Sequence, residues 1–203
     1  MGVGDNRIGK VDTFRQRVKR NRLISPNLVS AQTLSKASAD AELMALASPC
    51  FAVTIVRAPA IYGPDALGKF GTLARLMCRT GWLPVTRVLL CRSVVHCDNI
   101  AAVISEIVAR PAGRELEFVA HHEPFSLATL ASAVMAAGGP AIKLVVCPAS
   151  MFAALRMIAP AIHASLYSQR LIDPNDAITT GMTLPVGLAA GLTAALAANW
   201  RLA

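Results

Sequence analysis

The sequence predicts an α/β fold, and three observations predict it. Helical and strand-like patterns alternate from residue 30 to the C-terminus. The strand candidates are short apolar runs rich in β-branched residues, and glycine and proline fall between the patterns. Such alternation is what a sheet covered by helices requires.

Ser30 to Leu46 reads as a helix, with Leu34, Ala37, Ala41 and Met44 on one face and Ser30 as N-cap. That helix sets Gln32 and Lys36 one turn apart on a common face. Phe51 to Val56 reads as a buried strand ending at Arg57, Pro59 and the Tyr62-Gly63-Pro64 turn. Its carboxyl end therefore opens into a loop, the place where open α/β sheets hold ligands. Lys69 to Arg79 follows as a helix with Phe70, Leu73, Leu76 and Met77 inward and Gly81 beyond its end. Val88 to Leu90 and Ser93 to Val95 are short strands around Cys91-Arg92, and Asp98 is the expected N-cap of a helix over 99–109. Leu116 to Ala120 and Ile142 to Val146 are strands on either side of a helix that Ser126 caps and Gly138-Gly139-Pro140 ends. Met151 to Leu166 is apolar but interrupted by Arg156, Pro160 and His163. Ala177 to Trp200 carries no charge and approaches spanning length, yet Pro185, Gly187 and Gly191 favour a helix packed on the fold over a membrane span.

Composition narrows the classes. The chain has 203 residues, of which 54% are hydrophobic and 16% charged, enough for a folded core. Residues 1–24 hold seven Lys/Arg against Asp5 and Asp12, so most of the net charge of +8 sits in a basic leader. With Phe14 as its one aromatic and no helical apolar stripe, that leader reads as solvated and poorly ordered, and no nucleic-acid partner is expected. Five cysteines without a CxxC pair fit a reducing cytoplasm and give no zinc spacing, and charge scattered over 7–22 leaves no apolar core of the kind a secretion signal needs, so a cytoplasmic protein is expected. His96 and Asp98 invite a catalytic pairing, but no GxSxG nucleophile turn accompanies them. His121 and His122 beside Glu123 read as a polar strand end, because neighbours on a strand face opposite ways and no metal is expected there.

Four motifs in order then carry a resemblance. Ser35-Lys36 with Glu42, VRAPAIYGP at 56–64, RSVVHCDNIA at 92–101, and PVGLAAGL at 185–192 followed by Trp200 together resemble the extended short-chain dehydrogenase/reductase family. Its UDP-glucose 4-epimerase-like members, NAD-dependent nucleotide-sugar epimerases and dehydratases, are the most similar. The resemblance implies an incomplete Rossmann-like parallel sheet, its N-terminal half missing, with a smaller C-terminal α/β substrate domain. Members run to roughly 300 residues, so the chain is expected to be the last two-thirds of one. Residues 1–24 are then a leader, 25–64 a remnant of the dinucleotide-binding domain and 65–203 the substrate-binding domain.

In this family a tyrosine four residues before a lysine exchanges a proton with a sugar hydroxyl while NAD exchanges a hydride with the same carbon. The lysine lowers the phenol pKa and holds the nicotinamide ribose. The resemblance puts Lys36 at the lysine position and Gln32 at the tyrosine position. It gives Lys36, Pro59 and Tyr62 to the cofactor, and Arg92 and Ala60 to a nucleotide sugar such as UDP-glucose. A guanidinium suits a diphosphate because its fork matches phosphate oxygens. A carboxamide does not ionise near neutral pH, and losing a positioned base typically costs about 10²- to 10⁴-fold in rate. Gly2-Val3-Gly4 lacks the flanking strand and helix of a dinucleotide loop. NAD binding is thus expected only if an N-terminal Rossmann half completes the sheet. Two readings stay open: part of a nucleotide-sugar enzyme, or a non-catalytic or truncated descendant binding a nucleotide or partner, either compatible with a homodimer.

Overall fold

The computed structural model describes residues 31–200 except 49, 65–67, 88–89, 110–113, 159, 161–162, 164–166, 168–170, 173–176 and 180–181. Helix α1 (Ala31–Leu46) leads into β1 (Val53–Arg57) and β2 (Ala60–Tyr62). There follow α2 (Gly68–Thr80), β3 (Trp82–Val85), β4 (Val94–His96), α3 (Cys97–Ala109) and β5 (Arg114–Phe118). The chain closes with α4 (Leu127–Ala136), β6 (Lys143–Val146), α5 (Ala149–Ile158) and α6 (Leu188–Trp200). The strands pair as β1 with β5, β2 with β4 and β3 with β6, every pair parallel. Parallel pairs need long crossovers, which the intervening helices supply, so the α/β class holds.

Around β1 and β5 the chain forms helix, sheet and helix layers. Met44 of α1 packs on Ile55 and Phe118 from one side. On the other, Val56 packs with Ile100 and Ile107 of α3 against the buried cluster of Val95, Val103 and Val119. A larger core gathers α2, α4 and α6 over β3 and β4, through Leu73, Met77, Leu83, Val94, Leu130, Val134, Leu192 and Leu196. The last 13 residues of the uncharged stretch, Leu188–Trp200, thus form a helix buried along Leu188, Leu192, Ala195 and Leu196. No helix among the described residues is long and apolar enough to cross a membrane.

Several boundaries differ from the sequence expectation for physical reasons. Phe51 folds back on Ser48, the two exchanging backbone hydrogen bonds of 2.9 and 3.1 Å, so β1 starts at Val53 and runs to Arg57. Ala60 to Tyr62, expected as loop, is a strand because Val94–His96 lies alongside it. Strand β3 was hidden by Pro84. The Gly81 and Val85 carbonyls accept from the Lys143 and Cys147 amides at the start of β6 and just past its end, so the alternating Pro84 turns its nitrogen away from β6, where its missing N–H costs no ladder bond. Helix α3 begins at Cys97, and its cap is His96 rather than Asp98: the imidazole Nδ1 accepts the Asp98 amide at 3.2 Å. Ser126 caps α4 as expected, its hydroxyl accepting from the Thr129 amide at 3.1 Å. Ser30, the basic leader and the start of the expected 88–90 strand lie outside the described residues.

Candidate functional site

At the carboxyl end of β1, Arg57 donates from Nε to Asp40 Oδ2 at 2.9 Å and from a second guanidinium nitrogen to the same oxygen. The acid that holds Arg57 is therefore Asp40, while Glu42 accepts from Ser38 on the exposed side of α1. Lys36 lies one turn before Asp40, and its side chain is exposed to solvent. Gln32 belongs to α1, but its side chain lies outside the described residues. Past Arg57, Pro59 is half-buried and Ala60 exposed.

Tyr62 turns inward. None of its surface is exposed; its hydroxyl lies 2.8 Å from His121 Nε2 and donates to the Leu188 carbonyl at 3.4 Å. The His96 ring stands edge-on to it with centroids 5.2 Å apart. Burial, aided by the nearby Cys97 thiol, raises the Tyr62 phenol far above its ordinary value. Burial also pushes His121 down to about 4, reinforced by the His96 and His122 imidazoles. Tyr167, the other tyrosine of the chain, donates to the Pro84 carbonyl at 3.0 Å, and burial raises its pKa as well. Neither phenol is placed to exchange a proton with a ligand in solvent.

Arg92 is half-buried, and its backbone exchanges two 2.8 Å hydrogen bonds with Phe125 in an antiparallel bridge. The adjoining Ser93 hydroxyl accepts the Ile172 amide at 2.8 Å. This rigid backbone fixes where Arg92 starts. His96, Cys97 and Asp98 bring ligand-type atoms within 4.8 Å of one another. The His96 Nδ1 lone pair, however, is already taken by the Asp98 amide, and the site lies at the positive end of α3. The cluster reads as a helix cap.

Between β2 and α2, Gly63 to Lys69 spells GxxxxGK, the outline of a phosphate loop, a pattern the sequence reading did not single out. The next residue departs from it. Phe70 stands where a magnesium-binding hydroxyl is needed, stacked 4.8 Å from Phe125 and 6.4 Å from Tyr62. Gly63 has a packing role instead, since a Cβ there would sit 2.5 Å from Cys97 Sγ. The residues present fit NAD only in part: Lys36 could donate to ribose hydroxyls, but no described glycine loop is left to receive a pyrophosphate.

Other side chains that organise this region were not foreseen. Asn99, fully buried, donates to the Val186 carbonyl at 2.8 Å and accepts the Val186 amide at 2.9 Å, fastening the approach to α6 against α3. The Tyr62–His121 contact joins residues 59 positions apart, and nothing local in the sequence marks it.

No protein-family model and no curated protein matches the sequence. Solved structures do. A functionally unknown conserved protein from Silicibacter pomeroyi aligns with TM-score 0.59 and 22% identity over 84% of this chain and 57% of its own. The dTDP-glucose 4,6-dehydratase of Bacillus anthracis, in complex with NAD, gives 0.56 and 17% over 85% and 52%. The UDP-glucose 4-epimerase of Thermotoga maritima, with UDP-glucose, gives 0.56 and 14% over 84% and 53%. The fold is that of the Rossmann-like nucleotide-sugar epimerases and dehydratases. The chain spans little more than half the length of these structures.

Proposed function

We propose that this chain is the C-terminal part of an NAD-dependent nucleotide-sugar epimerase or dehydratase of the UDP-glucose 4-epimerase type, and that it holds the sugar nucleotide without itself turning it over. The observation that carries the second half is the fate of its two tyrosines: both are buried, hydrogen-bonded in the core and raised in pKa. With Gln32 at the tyrosine position, no phenol of this chain serves as acid and base.

In this reading residues 25–64 are the remnant of the dinucleotide-binding domain and 65–203 bind substrate. Arg92 grips the diphosphate, which suits a guanidinium starting from a fixed backbone bridge, and Ala60 lines the sugar side. Lys36 and Pro59 face the nicotinamide ribose once a dinucleotide-binding half brings NAD; Tyr62 supports that wall from within through His121. NAD, when bound, supplies the hydride chemistry.

Thermal melts of the chain with UDP-glucose test the reading. The melting temperature is expected to rise with ligand, the rise to vanish in Arg92→Ala, and no NADH-linked conversion of UDP-glucose to be detectable. Absence of any shift up to millimolar UDP-glucose overturns the binding role. Conversion by the chain alone overturns the non-catalytic one.

A further inference from the structure

Charge is segregated along this fold. Residues 68–96 hold five Lys/Arg and residues 124–172 three more, and neither stretch holds an Asp or Glu. The carboxylates of the described helices and strands lie on α1, α3 and β5, around the β1–β5 sheet. Within the cationic part, the Lys143 amide donates to the Gly81 carbonyl at 3.0 Å, and the register sets Trp82 beside Lys143 and Pro84 beside Val145. Partners in register share a face of the sheet. Leu83, on the opposite face, is buried with Met77 of α2 and Val134 of α4, so Trp82, Lys143 and Val145 look away from the core. Lys143 is exposed, and Trp82 and Val145 keep 46% and 42% of their surface open, far more than a core position allows. Arg79 and Arg87, both exposed, flank β3 before and after. Neither these two nor Lys143 has a carboxylate partner among the described residues.

We propose that this face docks on an anionic membrane surface, with Trp82 and Val145 entering the headgroup layer and Arg79, Arg87 and Lys143 lying against lipid phosphates and carboxylates. Peripheral binding of this kind joins buried apolar area to attraction for anionic lipid, and a tryptophan suits the boundary because its ring is amphipathic. It needs no membrane-spanning helix. Charge complementarity selects this occupant. A second copy seated face to face would set cations against cations. Nucleic acid would satisfy the cations but leave Val145 and the exposed Val146 against phosphates, and Trp82 alone makes no stacking platform. A dinucleotide-binding half, in the function proposed above, joins residues 25–64, whereas this face is built from residues 79–87 and 143–146. Membrane docking therefore stands or falls separately from that function.

Cosedimentation of the full chain with vesicles of phosphatidylcholine, with and without phosphatidylserine, tests this. Expected are binding to the phosphatidylserine vesicles only, its loss at high salt, and at least about a tenfold weakening in the double variant Arg79→Glu with Lys143→Glu. The chain has two tryptophans, so Trp200→Phe leaves Trp82 as the reporter, and its emission is expected to move to the blue on binding. Should one of these variants not fold by circular dichroism, the other decides. Absence of binding to anionic vesicles overturns the proposal. So does binding that leaves either Trp82 emission or the affinity of the double variant unchanged, the mark of attachment through the basic residues 1–24. Retention of duplex DNA without vesicle binding overturns it as well.

Discussion

Gly191 shows how closely single atoms are set around the buried Tyr62. A Cβ at this position would lie 2.7 Å from Val186 Cγ1 and 3.1 Å from both His96 Cδ2 and the Tyr62 hydroxyl. Gly191→Ala is therefore expected to push α6 off the core and to lose about 1–3 kcal/mol, measured by urea denaturation. His121 adds a pH dependence at the same spot. Its folded pKa of about 4 lies below the ordinary value of 6.5, so the folded state favours the neutral ring. The unfolded chain takes up a proton first as pH falls, so the stability this ring contributes is whole above about 6.5. It drains away between about 6.5 and about 4, a loss on the order of 3 kcal/mol. His121→Gln keeps a partner for Tyr62 without titrating; its urea midpoint is expected to vary less than the wild type's between pH 7 and 4.5.

Elements are joined here by side chains that replace missing backbone partners. Asn99 does this between α3 and the segment entering α6, mimicking a strand neighbour for Val186 with its amide group. Asn99→Ala leaves the part-buried Val186 amide and carbonyl without their side-chain partners and is expected to cost about 1–3 kcal/mol. Asn99→Asp is informative beside it, because a carboxylate still accepts from the Val186 amide but repels the carbonyl. Its thermal midpoint should therefore fall below the wild type's. Arg57 and Asp40 tie α1 to β1 in a comparable way. Which carboxylate would do so was not legible in the sequence, since Asp40 and Glu42 are two residues apart and only the rotation of α1 over the sheet selects one.

For the whole molecule, the fold of longer enzymes is kept over little more than half their length. Lys36 lies on a helix face that is open to solvent among the described residues. Its role depends on what covers the helix.

Local periodicity and turn chemistry were enough to determine the α/β class, most of the helices and strands from α1 to β6, the Ser126 cap and the absence of a tyrosine at position 32. Each of these is written in neighbouring residues. Only the tertiary structure decided that Tyr62 faces the core, that His96 caps α3 and that Pro84 sits in a strand. Those outcomes depend on partners tens of residues away, such as His121, Val94–His96 and Lys143–Val146, and no local pattern encodes a distance in space.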